Sequence, residues 1–177
     1  RPFAVAALVG IATSAFAADD VVKIGAPLEL SGKYVVYGEQ GRRGIEMALD
    51  TFGPTAAGKK IEIIFRDVQS NNQSTVTAVT ELVEQEGVDF MIGPIASGIV
   101  SASVPPWRQG KPLWVVPGSS STAVEKEVVG EDMFFHTYPW GYLYHQSTAQ
   151  GLGKVLGESK RLAIVYSDGA YGRAHLP

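Results

Sequence analysis

Two short segments of the 177-residue sequence carry hydroxyl side chains that could bind a small molecule. Ser97 follows Gly93-Pro94-Ile95-Ala96, at a point where a helix is expected to begin. Its hydroxyl can serve as an ordinary helix cap, or it can bind a ligand carboxylate together with the free N–H groups of the first helical turn. Pro117-Gly118-Ser119-Ser120-Ser121-Thr122 is the second segment, and it forms either a polar cradle or a solvated turn. Both segments are candidates for binding a small polar molecule.

Motifs for nucleotide binding and nucleophilic catalysis are incomplete. Ser31-Gly32-Lys33 suggests a phosphate-binding loop, but Pro27 stands where the first glycine belongs, and Tyr34 replaces the Ser or Thr that would hold magnesium. A Gly-x-Ser-x-Gly nucleophile elbow fails because Thr122 stands at its last position. We therefore expect no nucleotide site, no catalytic residues and no enzyme activity.

The histidines and the aspartates at strand ends do not form a recognisable metal or acid–base site. His136, His145 and His175 lack the close spacing of zinc ligands. Asp67 and Asp168 each end a predicted strand, a position where aspartate commonly caps the next element. We expect no metal and no cofactor.

Short apolar segments alternate with helical patterns along the chain. Strands are predicted at residues 22–28, 61–66, 88–92, 113–116, 133–137 and 161–166. Helices are predicted at residues 39–52, 72–86, 97–108 and 141–156, the third of them kinked or restarted at Pro105-Pro106. This alternation predicts the α/β class, as a doubly wound, Rossmann-like parallel sheet covered on both faces. Ligands of such sheets bind beyond the carboxyl ends of the strands, where both hydroxyl segments lie.

The first residues have the three parts of a cleavable secretory signal peptide. Arg1 is the basic start, residues 3–12 are apolar, and Ala15-Phe16-Ala17 is the small-residue cleavage site. A membrane-spanning helix needs ~20 apolar residues, and this run is shorter. We predict cleavage after Ala17 and export from the cytoplasm.

The composition excludes several kinds of partner and site. The sequence has 15 basic residues, 18 acidic residues, a net charge of −3 and no cysteine. Nucleic-acid binders concentrate Lys and Arg on one face, so this balance does not suggest nucleic acid. Without cysteine the protein depends on its core rather than on disulfides, and it has no thiolate zinc site or lipid-bearing cysteine.

A family resemblance runs through these same loops. It is carried, in order, by Lys23-Ile24-Gly25, Leu30-Ser31-Gly32, Tyr37-Gly38-Glu39, Arg43-Gly44, Arg66-Asp67-Val68-Gln69-Ser70, Ile92-Gly93-Pro94, Ser97, Pro117-Gly118 and Tyr171-Gly172-Arg173. In these segments the sequence resembles the periplasmic solute-binding proteins of ABC importers, in the branched-chain amino acid (Leu/Ile/Val-binding) group. The resemblance covers essentially the whole chain after residue 17 and is to the N-terminal half of a family member.

The resemblance implies the type I periplasmic-binding fold, in which two Rossmann-like lobes joined by a hinge close on a ligand. It divides the chain into a signal peptide at residues 1–17 and an N-terminal α/β ligand-binding lobe at 18–138. Residues 139–177 are then the hinge crossing and the truncated start of a second, similar lobe.

The resemblance also implies a set of ligand-binding residues. They are Tyr37, Ile95, Ala96, Ser97, Gly118, Ser119, Ser120 and Tyr171. Ser97 is expected to bind the ligand carboxylate, which agrees with its position at a predicted helix start. Trp140-Gly141 departs from the family pattern, which often has Ser-Asp there, so this segment shows no acidic partner for a ligand ammonium.

The predicted function is the extracytoplasmic solute-binding component of an ABC transporter. The ligand is expected to be an amino acid, an amide or an aromatic acid, and the protein partner an inner-membrane ABC permease. We expect a periplasmic monomer. The alternative is a ligand-sensing receptor domain of the same fold that is coupled to signalling. A hydrolase is not supported, because the sequence offers no nucleophile with an aligned base.

Overall fold

A computed structural model describes residues 21–156, 161 and 163–175. Its strands are β1 (Val21–Leu28), β2 (Thr55–Ala56), β3 (Lys59–Asp67), β4 (Phe90–Ile92), β5 (Leu113–Val116) and β6 (Phe134–His136). Five of these six strands lie where the sequence predicts them, and the short β2 is additional. The predicted signal peptide lies outside the described residues.

The helices are α1 (Val35–Phe52), α2 (Asn72–Thr80), α3 (Ser97–Gly110), α4 (Thr122–Val128), α5 (Gly141–Val155) and α6 (Ala170–Arg173). A π-helical turn, Glu81–Gln85, continues α2. Helix α3 runs through Pro105 and Pro106 without a restart, so that part of the prediction is wrong. Pro106 and Trp107 are buried, and this packing offsets the loss of backbone N–H groups at the prolines.

The strands form one sheet in the order β2-β3-β1-β4-β5-β6. Every pairing is parallel except that of β2 with β3. Strand β1 therefore lies between β3 and β4: the chain runs from β1 to β3 on one side and then crosses β1 to reach β4 on the other. This confirms the doubly wound α/β prediction, and it places the ligand crevice expected for such sheets at the carboxyl end of β1.

One face of the sheet carries the main core. Met91, Trp114 and Phe134 are neighbours across β4, β5 and β6, so their side chains point to the same face. They pack with residues of α2, α3 and α4, including Val100 and Trp107. The rings of Trp107 and Trp114 lie 5.3 Å apart, and both are fully buried. Each buried indole removes roughly 200 Å² from water, which contributes several kcal/mol to folding.

The opposite face is covered only in part. Helix α1 passes over the end of β1, where Gly41 approaches Leu28. Farther along the same face, Phe90 is 38% exposed and Phe135 is 48% exposed. A cavity of about 680 Å³, lined in part by Phe90 and Leu113, opens at the amino ends of the strands. Within the described residues, the predicted cover of both faces is therefore incomplete.

The strand predicted at residues 161–166 is not present. Residues 161 and 163–166 are described and have no strand pairing, while residue 162 lies outside the described residues. Ile164 is 51% exposed and Val165 is 98% exposed. An apolar, β-branched segment forms a strand only when a neighbouring strand takes its backbone hydrogen bonds, and the described part of the chain offers none beside it.

Candidate functional site

A cleft lies at the carboxyl ends of the parallel strands, as the topology requires. Its volume is about 630 Å³. All eight residues predicted to bind the ligand line it: Tyr37, Ile95, Ala96, Ser97, Gly118, Ser119, Ser120 and Tyr171. The structure thus brings together residues from α1, from the loops after β4 and β5, and from α6. Their contacts with a ligand stay a prediction.

Ser97 is the first residue of α3, and Ala96 is the residue that precedes the helix. No side chain caps this helix end, so the interpretation of Ser97 as an ordinary cap is wrong. Its Oγ instead accepts a hydrogen bond from Ser120 N–H across 3.3 Å. The Ser97 hydroxyl therefore keeps its hydrogen for donation, and Ser97 and Gly98, whose N–H groups begin α3, both line the cleft. A helix of 14 residues adds the positive end of its dipole at this point.

The loop after β5 is a buried cradle and not a solvated turn. Ser119 is 5% exposed and Ser120 is fully buried. The Oγ atoms of both residues are buried without a hydrogen-bond partner in the described structure. Because an unsatisfied buried hydroxyl costs free energy, these two groups are well placed for a ligand. Ser121 has a different role, since its Oγ accepts from Ala123 N–H and caps α4.

Backbone geometry in this loop is unusual in two places. Ser119 adopts a φ of 70°, in the left-handed region that is uncommon for residues other than glycine. Gly118 lies so close to the other loop that an added Cβ would stand 2.5 Å from Ile95 O. Glycine is therefore required there for the two loops to touch, and it is this contact that places Ser120 beside Ser97.

Glu29 lies behind the cleft and was not predicted. It is fully buried, and its carboxylate accepts from Ala96 N–H across 2.8 Å and from Ile95 N–H across 3.1 Å. Burial raises the pKa of Glu29 above the ordinary carboxyl value, although the hydrogen bonds from Ala96 and Ile95 act in the other direction. Glu29 thereby fixes the segment that leads into α3. The only signal in the sequence is a single acidic residue at the end of an apolar strand.

The cleft has a positive and a negative side chain. Lys33 lines it near Tyr34, with Nζ 5.1 Å from the centre of the tyrosine ring. Asp168 also lines it, but Arg173 binds its carboxylate across 2.7 Å. Tyr37 and Tyr171 are 53% and 55% exposed, so the cleft is open to solvent.

The residues that the structure describes contain no group of three or more potential metal ligands. Among the helices described, none has the length and apolar character needed to cross a membrane.

The chain that forms this cleft matches a known protein family. A model described as "Periplasmic binding protein" matches residues 21–176. The chain belongs to the periplasmic binding protein family. Among the relatives that it matches are several Leu/Ile/Val-binding protein homologues. The Leu/Ile/Val-binding protein homolog 8 of Brucella suis is 30% identical over 177 residues, covering 93% of this chain and 42% of that protein.

Solved structures of periplasmic binding proteins have the same fold. The branched-chain amino acid transporter substrate-binding protein LivJ of Streptococcus pneumoniae, in complex with isoleucine, gives a TM-score of 0.63 at 27% identity over 68% of this chain and 34% of that one. A solute-binding protein of an ABC transporter from Rhodopseudomonas palustris, in complex with 3,4-dihydroxy benzoic acid, gives a TM-score of 0.79 at 22% identity. This match covers 88% of this chain and 42% of that one. The chain thus spans less than half the length of the relatives that it matches.

Proposed function

We propose that the protein is the extracytoplasmic solute-binding component of an ABC transporter and that it binds a small carboxylate-bearing ligand without transforming it. One observation carries the proposal: Ser97, Ser119 and Ser120 line one cleft at the start of α3, where Ser120 N–H donates to Ser97 Oγ. The Oγ atoms of Ser119 and Ser120 are buried without a partner in the described structure. A carboxylate accepts several hydrogen bonds and is stabilised at a helix N-terminus, so it fits this arrangement.

The mechanism is closure of two lobes on the ligand. The cleft already has residues from two sides, because Tyr138 and the segment 167–171 face the loops of the sheet. Residues 18–138 form the first lobe in this proposal, and residues 139–177 belong to the crossing and the second. A ligand that touches both sides stabilises the closed form by its additional contacts there.

The relatives support transport rather than signalling. The matched proteins are named as Leu/Ile/Val-binding proteins and as substrate-binding proteins of transporters, and LivJ of S. pneumoniae was solved with isoleucine. The partner is then an ABC permease in the inner membrane, and residues 1–17 act as the export signal to the periplasm. Amino acids and other small carboxylates are the first ligands to test.

A serine pair on α3 tests the carboxylate site. Ser97→Ala removes a hydroxyl from the cleft, and we expect it to weaken carboxylate binding by about 1–3 kcal/mol, the range for losing a hydrogen bond to a charged group. Ser101→Ala is the matched control, because Ser101 lies one turn along the same helix and its Oγ contacts Glu127 instead. Titration calorimetry on the complete gene product measures both affinities.

The two variants separate binding from folding. Equal affinities in Ser97→Ala and wild type would remove Ser97 from the site. An equal loss of ligand affinity in Ser97→Ala and Ser101→Ala would indicate damage to α3 rather than loss of a ligand contact.

A further inference from the structure

Four consecutive N–H groups at the start of α3 are divided between the protein interior and the cleft. Those of Ile95 and Ala96 donate to the Glu29 carboxylate across 3.1 and 2.8 Å. Those of Ser97 and Gly98 find no protein acceptor among the described residues, and both residues line the cleft. Glu29 itself is fully buried and does not line the cleft. A ligand carboxylate held by Ser97 and Gly98 therefore shares this run of amides with a second carboxylate behind it.

The two carboxylates are close enough to repel each other. Glu29 Oε1 is 2.8 Å from the nitrogen of Ala96, and the nitrogen of Ser97 is the next one along the chain. With an ordinary hydrogen bond from Ser97 N–H to the ligand, the two negative groups lie within roughly 10 Å of each other. Because Glu29 is buried, salt ions in the solvent screen this repulsion only weakly.

No positive side chain offsets the charge of Glu29 in the part of the chain that the structure describes. The elements around it and the cleft carry these titratable side chains: Lys33, Tyr37, Glu39, Asp67, His136 and Asp168. None of them forms an ion pair with Glu29. Burial is therefore the main influence on the pKa of Glu29, and it raises that pKa against the hydrogen bonds from Ala96 and Ile95.

The Glu29 carboxyl can hold a proton without losing these hydrogen bonds. Its Oε1 accepts from both Ile95 N–H and Ala96 N–H, whereas Oε2 has a longer contact of 3.3 Å with Ile95 N–H. A protonated carboxyl keeps one carbonyl oxygen as an acceptor. With the proton on Oε2, Glu29 still fixes the segment that leads into α3.

We propose that Glu29 takes up a proton when a ligand carboxylate binds at the start of α3, so that ligand affinity depends on pH. One proton moves from the solvent to Glu29 Oε2, and no other covalent bond forms or breaks. The proposal rests on the proposed function, since it requires a ligand carboxylate beside Ser97. Glu29 is a positioning residue, because it acts through the amides of Ile95 and Ala96 and does not touch the ligand.

Proton uptake is measured on the wild-type, complete gene product. Titration calorimetry with leucine, phenylalanine and benzoate, in buffers of different ionisation heat, counts the protons taken up with each ligand that binds. We expect net uptake near neutral pH and roughly tenfold tighter binding at pH 5.5 than at pH 8, a range in which the ligand carboxylate stays ionised. Binding without proton uptake overturns this proposal and leaves the carboxylate site intact. Binding of none of these compounds, or affinities unchanged by Ser97→Ala, overturns the proposed function and this inference with it.

Two variants test whether Glu29 is the group that takes up the proton. Glu29→Gln keeps an acceptor oxygen and has no charge, so it imitates the protonated carboxyl. We expect it to bind the carboxylate at pH 8 roughly tenfold more tightly than wild type and to lose the proton uptake. Glu39→Gln makes the same change beside Gly38 on α1 and is expected to keep the wild-type uptake. Proton uptake that persists in folded Glu29→Gln contradicts the assignment.

A spectroscopic measurement covers the case in which Glu29→Gln does not fold. Infrared difference spectra of the wild-type protein, with and without ligand, separate the C=O stretch of a protonated carboxyl from the bands of carboxylates. We expect the protonated band to grow when the ligand binds near neutral pH, because the ionised ligand does not contribute to it. A ligand that binds without any gain in this band overturns the proposal.

Discussion

Asp67 organises the loop that follows β1. Its Oδ1 accepts from the backbone N–H groups of Leu30, Ser31 and Gln69, and its Oδ2 accepts from Ser31 Oγ across 2.6 Å. Burial alone raises the pKa of Asp67, but the hydrogen bonds from Ser31, Gln69 and Leu30 outweigh it, and the pKa lies below the ordinary value. This single carboxylate therefore joins the ends of β1 and β3 beside the cleft.

The lowered pKa of Asp67 predicts that the protein becomes less stable in acid. The stabilisation from Asp67 is complete above the unfolded value of about 4 and is lost as the pH falls through that value toward the lower folded one. Asp67→Asn should flatten this decline and cost about 1 kcal/mol at neutral pH, since Asp67 is only partly buried and is screened by solvent. Urea unfolding from pH 7 down to pH 3 measures it, with the exposed Asp50→Asn as the control. If the free energy of unfolding of Asp67→Asn fell with pH as steeply as that of the wild type, Asp67 would not be the source of the acid sensitivity.

Sequence patterns identified the residues that line the cleft better than those behind it. Ser97 and the serines after β5 could be predicted because parallel strands bring the loops at their carboxyl ends together. Glu29 could not, because its importance depends on which distant backbone groups it meets. Glu29 binds N–H groups 66 and 67 residues away, and nothing in its own segment indicates them.

At the scale of elements, the contact between α1 and the loop after β1 requires a glycine, which has no side chain, at position 38. Gly38 is buried on α1, and an added Cβ would collide with the backbone oxygen of Glu29. Gly44 lies on the same helix with no atom within 4 Å of such a Cβ. The two glycines therefore differ in packing while sharing a helical conformation.

Alanine at these two positions should have opposite effects. Gly44→Ala is expected to stabilise the protein by up to about 1 kcal/mol, because alanine favours the helix. Gly38→Ala is expected to cost about 1–3 kcal/mol, because α1 must move away from Glu29. Urea unfolding curves give both values. A stabilising Gly38→Ala would show that α1 does not pack as described.

The four long helices and five of the six strands could be predicted from periodicity and composition, whereas the two-residue β2 and the short helices α4 and α6 could not. Strand Leu113–Val116 and the long helices match the prediction within a few residues. Helix α4 has no counterpart among the predicted helices, although Val124 and Val128 have helical spacing and Ser121 is a good cap. The predicted strand at residues 161–166 failed because an apolar pattern does not supply the neighbour that a strand needs.

At the scale of the whole molecule, the two faces of the sheet contribute unequally to stability. Trp114 is fully buried on the face covered by α2, α3 and α4, whereas Phe135 is 48% exposed on the other. We expect Trp114→Ala to cost about 3–5 kcal/mol and Phe135→Ala about 1 kcal/mol or less in this chain. Chemical unfolding followed by circular dichroism measures both. Equal losses would mean that Phe135 is covered by contacts absent from the described residues.

The tryptophans give the protein built-in optical probes. Trp107 and Trp114 are inaccessible to solvent, so their fluorescence emission should lie at short wavelength in the folded chain and move to longer wavelength on unfolding. Trp140 is different, because it touches the imidazole of His136, a neighbour able to quench an indole. Of the three tryptophans in the sequence, two thus report on the core and one on the loop beside the cleft.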